Sequence, residues 1–351
     1  MDLNKIRSDI DLIDSKILKL LNQRMELVIM AGRLKGEVED PQREAEVLAR
    51  VEADTPTLLD KEFVRALFKE VIKESKRLQK GSYRPIAFQG EHGAFGELAA
   101  LAWRQDLVPI PCPQFEDVFE GVRSGLYDYG VVPVENSLGG PISEVNRLLL
   151  ETDLLVIGAV DMAVRLCLLA LPDMDYREIR RAYSHPQALA QARSFLRRNK
   201  LEPVSFYDTA GAARMLSEKR PEGAAAIASK LCASLYGLEI IKENIEAPAN
   251  NRTRFLVLSK QEGCATPAKC SIVFSTQHKA GTLFRVLELF AREGLNLTRI
   301  ESFPTEPGRF AFFLDFEMPQ DKSKVHEVLN RARKITTFLK PLGYYKEVRV
   351  E

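Results

Sequence analysis

The stretch Tyr129–Ser137, YGVVPVENS, sets an acid, an amide and a hydroxyl side by side. Val131 and Val132 have the character of a buried strand, and Pro133, with no N–H for a ladder, marks its approaching end. Glu135, Asn136 and Ser137 follow at once, and Leu138-Gly139-Gly140-Pro141 turns the chain away. Polar groups at a strand end beside flexible glycines are where open α/β sheets hold ligands. Alone, the stretch reads equally well as a polar turn with Glu135 in water. Two later motifs bear on the choice. Ser184-His185-Pro186-Gln187 falls between strand and helix patterns, with Gln191 one turn beyond, and Asn251–Phe255, NRTRF, puts Thr253 between Arg252 and Arg254. In isolation that threonine reads as a strand residue between surface arginines, and His185 as a capping or core histidine without base chemistry.

Two further stretches open helices. Gln89–Glu97, QGEHGAFGE, has glycines at the wrong spacing for dinucleotide binding but suits an anion held at a helix N-terminus. Asp208-Thr209-Ala210 looks like an aspartate cap, mainly structural, with substrate contact left open.

A separate set of polar residues lies in the first 80. Arg24 and Lys35 are eleven residues apart, about three helical turns, and so share a face. Arg7, seventeen residues before Arg24, is roughly a quarter turn off that face and would point at a neighbouring chain. Asp40 and Glu44 are four apart, as are Ser75 and Gln79. Taken alone, these are salt-bridged surface helices.

The positioning elements are legible as periodicity. Ile6, Ile10, Ile13, Ile17, Leu20, Leu21, Leu27 and Val28 recur at three- and four-residue steps through one long helix from about Leu3 to Leu34. Helices over Arg43–Val51 and Lys61–Gln79 follow. One helix far longer than its neighbours makes a poor monomeric core, which predicts an interlocked dimer. After the linker Gly81–Pro85, strands and helices alternate as in an α/β domain. From Lys269 the pattern is β-α-β-β-α-β, ferredoxin-like, with its last strand at Tyr344–Val350. The expected domains are 1–81, 84–262 and 268–351.

Composition narrows the class. The 351 residues carry Lys+Arg 50 against Asp+Glu 49, a net charge of +1 that offers no basic field for nucleic acid or an anionic membrane. No apolar run approaches the roughly 18 residues that span a bilayer, and MDLNKIRSDID is no signal peptide. Five scattered cysteines suit reduced thiols in a cytoplasm. No Cys/His cluster has zinc spacing, so neither metal nor cofactor is expected.

VPVENS, SHPQ and NRTRF, in that order and at these separations, resemble the prephenate dehydratase family. Arg7, Arg24, Lys35, Asp40, Arg43, Glu44, Ser75 and Gln79 match positions of the all-helical chorismate mutase family, and the spacing holds through LNQRMELV, AGRLK and REAEVL. Lys279-Ala280-Gly281-Thr282-Leu283 and Arg299-Ile300-Glu301-Ser302-Phe303-Pro304 look like the amino-acid-binding segments of the ACT domain. The order is that of the bifunctional chorismate mutase–prephenate dehydratases.

The mutase resemblance implies a Claisen rearrangement of chorismate to prephenate. Arg24 and a partner chain's Arg7 would clamp two carboxylates, and Lys35 and Gln79 would donate to the ether oxygen as it gains charge. Arg43 and Ser75 are further binding positions; Glu44 and the Asp40 region would hold the ring hydroxyl. The dehydratase resemblance implies two subdomains, periplasmic-binding-protein-like, with the site in their cleft and loss of carbon dioxide and hydroxide to give phenylpyruvate. Thr253 would donate to the leaving hydroxyl, with Glu135, Asn136, Ser137, Ser184, Gln191 and Phe255 around the substrate and Arg254 on a carboxylate. The ACT resemblance implies that L-phenylalanine meets Gly281, Thr282 and Leu283 and sets its ring near Glu301, Ser302, Phe303 and Pro304. The family usually has a hydroxyl residue at Gly96, alanine at Thr282 and arginine at Phe303. Alternatives are a dehydratase for prephenate or arogenate with a dimerising helical appendage, and a non-catalytic ligand sensor.

Overall fold

The structure is a computed structural model that describes residues 3–35, 37–172, 174–247, 251–263, 265–306, 308–321 and 323–351. It has two compact units, Met1–Pro85 and Ile86–Glu351.

The first unit has three helices: α1 (Leu3–Leu34), α2 (Pro41–Ala53) and α3 (Lys61–Lys80). Asp40 caps α2 by accepting from the Arg43 amide, and Pro41 fits the first helical turn, where no N–H is needed. Gly32 lets α1 approach α3 closely: a Cβ there would stand 3.1 Å from Gln79 Cγ. Apolar burial is sparse. Ile29, Val64, Val71 and Ile72 are the buried hydrophobics among the described residues, whereas Leu3, Ile6, Ile10, Ile13, Ile17 and Leu20 of α1 are exposed. The unit therefore leaves its longest apolar stripe in water.

The second unit begins with a lobe in which β1 (Pro85–Gln89), α4 (Phe95–Trp103), β2 (Val108–Cys112), α5 (Phe115–Ser124), β3 (Tyr129–Asn136), β4 (Gly140–Pro141), α6 (Ser143–Glu151) and β5 (Leu155–Ala163) follow one another. The chain then crosses into a second lobe: β6 (Cys167–Ala170), β7 (Arg181–Ser184), α7 (Pro186–Gln191), α8 (Arg193–Arg198), β8 (Glu202–Ser205), α9 (Thr209–Lys219), β9 (Ala224–Ala228), α10 (Lys230–Tyr236) and β10 (Glu239–Lys242). It returns through β11 (Arg252–Ser259), which lies between β5 and β3. The lobe sheets run β5-β11-β3-β1-β2 and β10-β6-β9-β7-β8, mixed in direction. At the crossings the Val164 amide donates to the Asn251 carbonyl, and the buried Glu246 carboxylate accepts from the Leu166 amide at 2.8 Å and pairs with Arg165. These bonds tie the outgoing and returning segments together.

The remaining elements are β12 (Lys269–Ser275), α11 (Thr282–Arg292), β13 (Leu297–Glu306), β14 (Arg309–Glu317), α12 (Ser323–Arg333) and β15 (Phe338–Val350), with sheet order β13-β14-β12-β15, the ferredoxin-like order. The final strand starts at Phe338 rather than Tyr344, because Phe338–Tyr345 pairs along β12. Lys346–Val350 then pairs parallel with β5 of the first lobe. One strand thus belongs to both modules and makes their sheets continuous.

Candidate functional site

The lobes enclose a cavity of about 750 Å³. Strand pleating decides what faces it. β3 and β11 pair antiparallel with Thr253 opposite Asn136, Arg254 opposite Glu135 and Phe255 opposite Pro133. Val134 is the extra residue of a β-bulge between them. Thr253 and Phe255, two apart on β11, both line the cavity, as do Asn136 and Pro133 across the bulge. Arg254 and Glu135 face the other way. The second lobe contributes His185, Gln187 and Gln191 from the start and end of α7, and Tyr207, Asp208 and Thr209 from the start of α9.

The Asn136 side-chain amide fixes the Thr253 hydroxyl. Asn136 Oδ1 accepts from the Leu138 and Gly139 amides at 3.1 and 2.8 Å, which leaves Nδ2 as the donor. Nδ2 donates to Asn251 Oδ1, to the Arg252 carbonyl and, at 2.8 Å, to Thr253 Oγ1. With its oxygen accepting from Asn136, the hydroxyl has its own proton free to donate elsewhere. Neither lysine nor arginine lines the cavity among the described residues. Anionic groups there would meet Gln89, Gln187, Gln191 and Thr209 and the amides at the start of α4. Gly96, at that helix start, brings no hydroxyl.

Behind the strands lies an ionic cluster. Arg254 pairs with Asp315 and, at 2.6 Å, with Glu347, and donates to the Tyr345 hydroxyl at 2.8 Å. Lys269 also pairs with Glu347, holding that half-buried carboxyl below its ordinary range together with Arg254 against the opposing effect of burial. Arg299 of β13, almost fully buried, pairs with Glu135 at 3.2 Å and with Glu301.

In the helical unit, Arg24 donates to Ser75 Oγ at 2.6 Å, Gln79 Nε2 to the Val28 carbonyl at 3.2 Å, and Lys35 pairs with Asp40 at 3.2 Å. Glu44 pairs with Lys76 at 2.6 Å, and Arg43 with Glu46. Lys76, which also pairs with Glu39 at 2.8 Å, is a cation the motif reading passed over. Its signal was its position four before Lys80 on the face of α3 that carries Ile72. Arg7 is exposed, seventeen residues along α1 from Arg24, or about 25 Å.

In the C-terminal module, Gly281 takes φ +82° as the cap of α11. Gly281, Thr282 and Leu283 line a cavity of about 340 Å³ with Phe310 and Phe312 of β14. The Thr282 hydroxyl donates back to the Gln277 and Lys279 carbonyls, at 2.8 and 2.9 Å, within the loop. Glu301, Ser302, Phe303 and Pro304 lie on β13, the edge strand, and are absent from that cavity.

Family models described as Chorismate mutase type II, Prephenate dehydratase and ACT domain match residues 6–80, 86–263 and 271–335. The chain is 32% identical to a bifunctional chorismate mutase/prephenate dehydratase of Aquifex aeolicus, over 100% of this chain and 99% of that protein. It is 35% identical to arogenate dehydratase 2 of Petunia hybrida, over 83% of this chain and 77% of that protein. A solved prephenate dehydratase from Arthrobacter aurescens in complex with L-Phe is 29% identical, covering 75% of this chain and 89% of that one, with a TM-score of 0.68.

The chain belongs to the bifunctional chorismate mutase/prephenate dehydratase family.

Four positions expected in the dehydratase cleft lie outside it. Glu135 and Arg254 are turned to the back of the sheet by the pleat and consumed by ion pairs. Ser137 accepts from the Arg252 amide at 2.9 Å, and buried Ser184 donates to the Ile227 carbonyl at 2.6 Å. The ACT segment Glu301–Pro304 is likewise not joined to Gly281–Leu283 within one chain. Arg254 thus serves the cluster under Thr253. Arg254→Ala should cost about 3–5 kcal/mol of stability by stranding Asp315 and Glu347, read as a lowered Tm. Unchanged stability with a raised substrate KM would instead make Arg254 a carboxylate ligand.

Proposed function

We propose that this protein carries chorismate through two steps, rearranging it to prephenate in the helical unit and converting prephenate to phenylpyruvate in the cleft. The observation that carries the second step is the Thr253 hydroxyl, which faces the cavity with its oxygen fixed by Asn136 and its proton free. The proton passes to the leaving hydroxyl of prephenate. The C–O bond breaks, the carboxylate carbon leaves as carbon dioxide, and the electrons of that C–C bond complete the aromatic ring. The apolar walls, Phe95, Phe115, Val131, Pro133, Val164, Leu166 and Phe255, favour loss of a carboxylate by withholding water from it. Gln191 and Asn136 orient the substrate.

Thr253→Ala should lower phenylpyruvate formation by about 10²–10⁴-fold with the mutase unchanged, so that chorismate accumulates as prephenate, while Thr253→Ser keeps part of the activity. Ultraviolet absorbance of both products follows this. Equal dehydratase rates for Thr253→Ala and wild type would remove the donor role.

For the first step, Arg24, Lys35 and Gln79 supply positive charge and donors along one side of α1 and α3, with Arg43, Glu44, Asp40 and Ser75 nearby. Lys35 and Gln79 serve the ether oxygen of the transition state. Arg7 is too far along α1 to reach them, and the exposed isoleucines around it suit a second copy of the chain; we read the unit as a homodimer whose sites borrow Arg7. Arg7→Ala and Lys35→Ala proteins should each lose most mutase activity and regain part of it when co-expressed as heterodimers. No recovery in verified heterodimers would place each site within one chain.

The ACT module is read as a phenylalanine sensor. Gly281–Leu283 amides take the amino acid's charged end, and the exposed β13 edge of a partner supplies Glu301–Pro304. The Thr282 hydroxyl is turned into the loop, onto the Gln277 and Lys279 carbonyls, and so does not itself compete for the ligand. Calorimetry with L-phenylalanine beside a dehydratase assay should show binding and inhibition together; no binding at millimolar effector would reduce the module to a dimerisation element. Free, buried thiols at Cys112, Cys167, Cys232 and Cys270 support a reducing, cytoplasmic setting. No helix among the described residues is long and apolar enough to cross a membrane.

A further inference from the structure

No residue of α2 is buried, so apolar packing does not by itself fix where its first turn sits. Charges on α3 hold that turn. Ser75 and Gln79, one turn apart, form one row of α3 and bond to α1, through Arg24 and the Val28 carbonyl. Lys76 and Lys80 form the adjacent row. Lys76 pairs with Glu39 at 2.8 Å and with Glu44 at 2.6 Å, and Lys80 pairs with Glu39 at 3.1 Å. Glu39 and Glu44 stand on either side of Asp40 in the chain, and Asp40 both caps α2 and pairs with Lys35 at 3.2 Å. Glu39 first, and then Glu44, raise the Lys76 ammonium above the ordinary lysine value, so it stays charged. One lysine thus clamps both sides of the cap that holds Lys35.

Ion pairs this accessible add little to stability: the Lys76 and Glu44 side chains are 28% and 29% exposed. Their geometry bears on the site instead. The rearrangement needs no proton transfer or nucleophile, so its rate depends on how closely fixed donors match the compact reacting conformer. Glu44 lies on the clamped turn, and Lys35 is tied to it through Asp40. Arg24 is tied to the neighbouring row of the same helix through Ser75. We propose that Lys76 is a positioning residue for the chorismate rearrangement: by bridging Glu39 and Glu44 it sets Lys35, Asp40 and Glu44 at a fixed place relative to Arg24, without itself touching the substrate. This rests on the mutase reading above.

The test is kcat and KM of both activities on the full chain, with chorismate and prephenate supplied separately, for wild type, Lys76→Met and Lys76→Arg. Lys76→Met keeps the apolar stem and removes the charge. Its mutase kcat should fall about 10–10²-fold, the scale of a small misplacement of reacting partners, with KM changed less. Its dehydratase rate on prephenate should stay at the wild-type value, which shows that the chain is folded. Lys76→Arg, still able to bridge two carboxylates, should recover most of the mutase rate. Should Lys76→Met fail to fold, Lys76→Gln serves the same comparison. Wild-type mutase kcat without the charge would overturn the proposal. So would a loss shared equally by both activities and by Tm, which would make Lys76 a structural ion pair only. A raised chorismate KM at unchanged kcat would overturn it too, by making Lys76 a substrate contact. A wild-type chain that does not rearrange chorismate would remove the mutase reading, and this inference with it.

Discussion

The antiparallel pairing of β3 and β11, with Val134 as its bulged residue, is the constraint on which the cleft depends. A regular ladder would put Asn136 and Val134 on one face of β3. The extra residue instead lets Asn136 and Pro133 share the cavity face. That register sets an amide donor 2.8 Å from a threonine hydroxyl. It also sends the acid and the guanidinium beside them, Glu135 and Arg254, to the opposite side. A shift of one residue would exchange the two sets and leave the cavity lined by ions that now hold the module behind it.

The back of that sheet joins the catalytic and regulatory modules. β15 completes the ferredoxin-like sheet with its first half and adds to the cleft sheet with its second. Arg254 and Glu135 reach from the residues next to Thr253 and Asn136 into Asp315, Glu347 and Arg299. Arg299 in turn holds Glu301 at the start of the segment read as part of the effector site. A ligand that favours one arrangement of β13 would therefore act on the strands that carry Thr253 and Asn136, provided it binds the two arrangements unequally.

Helix periodicity and motif order in the sequence were enough to give the three-part architecture: the long α1, the strand–helix alternation after Gly81–Pro85 and the β-α-β-β-α-β ending all have strong local signals. The apolar stripe Ile6–Leu20 is equally legible, and it lies exposed. Which residues face the cleft was not legible to the same degree. Neighbouring residues on a strand point to opposite faces, so a motif that sets Glu135 beside Asn136, or Arg254 beside Thr253, does not say which of the two enters the cleft. Ser184 follows for a related reason: a buried hydroxyl at a strand end must satisfy itself, and its bond to the Ile227 carbonyl of β9 is a long-range contact that no local motif shows. Nothing local in the sequence shows that β14 lies between the two effector segments within one chain.

A double-mutant cycle on dehydratase kcat/KM with prephenate, pairing Asn136→Ala with Thr253→Ala, tests the central claim most directly. If Asn136 acts by fixing the Thr253 hydroxyl, most of its effect disappears once that hydroxyl is gone, and the double variant is little worse than Thr253→Ala alone. Independent, multiplicative losses would contradict the account, because Asn136 would then serve the reaction without acting through Thr253.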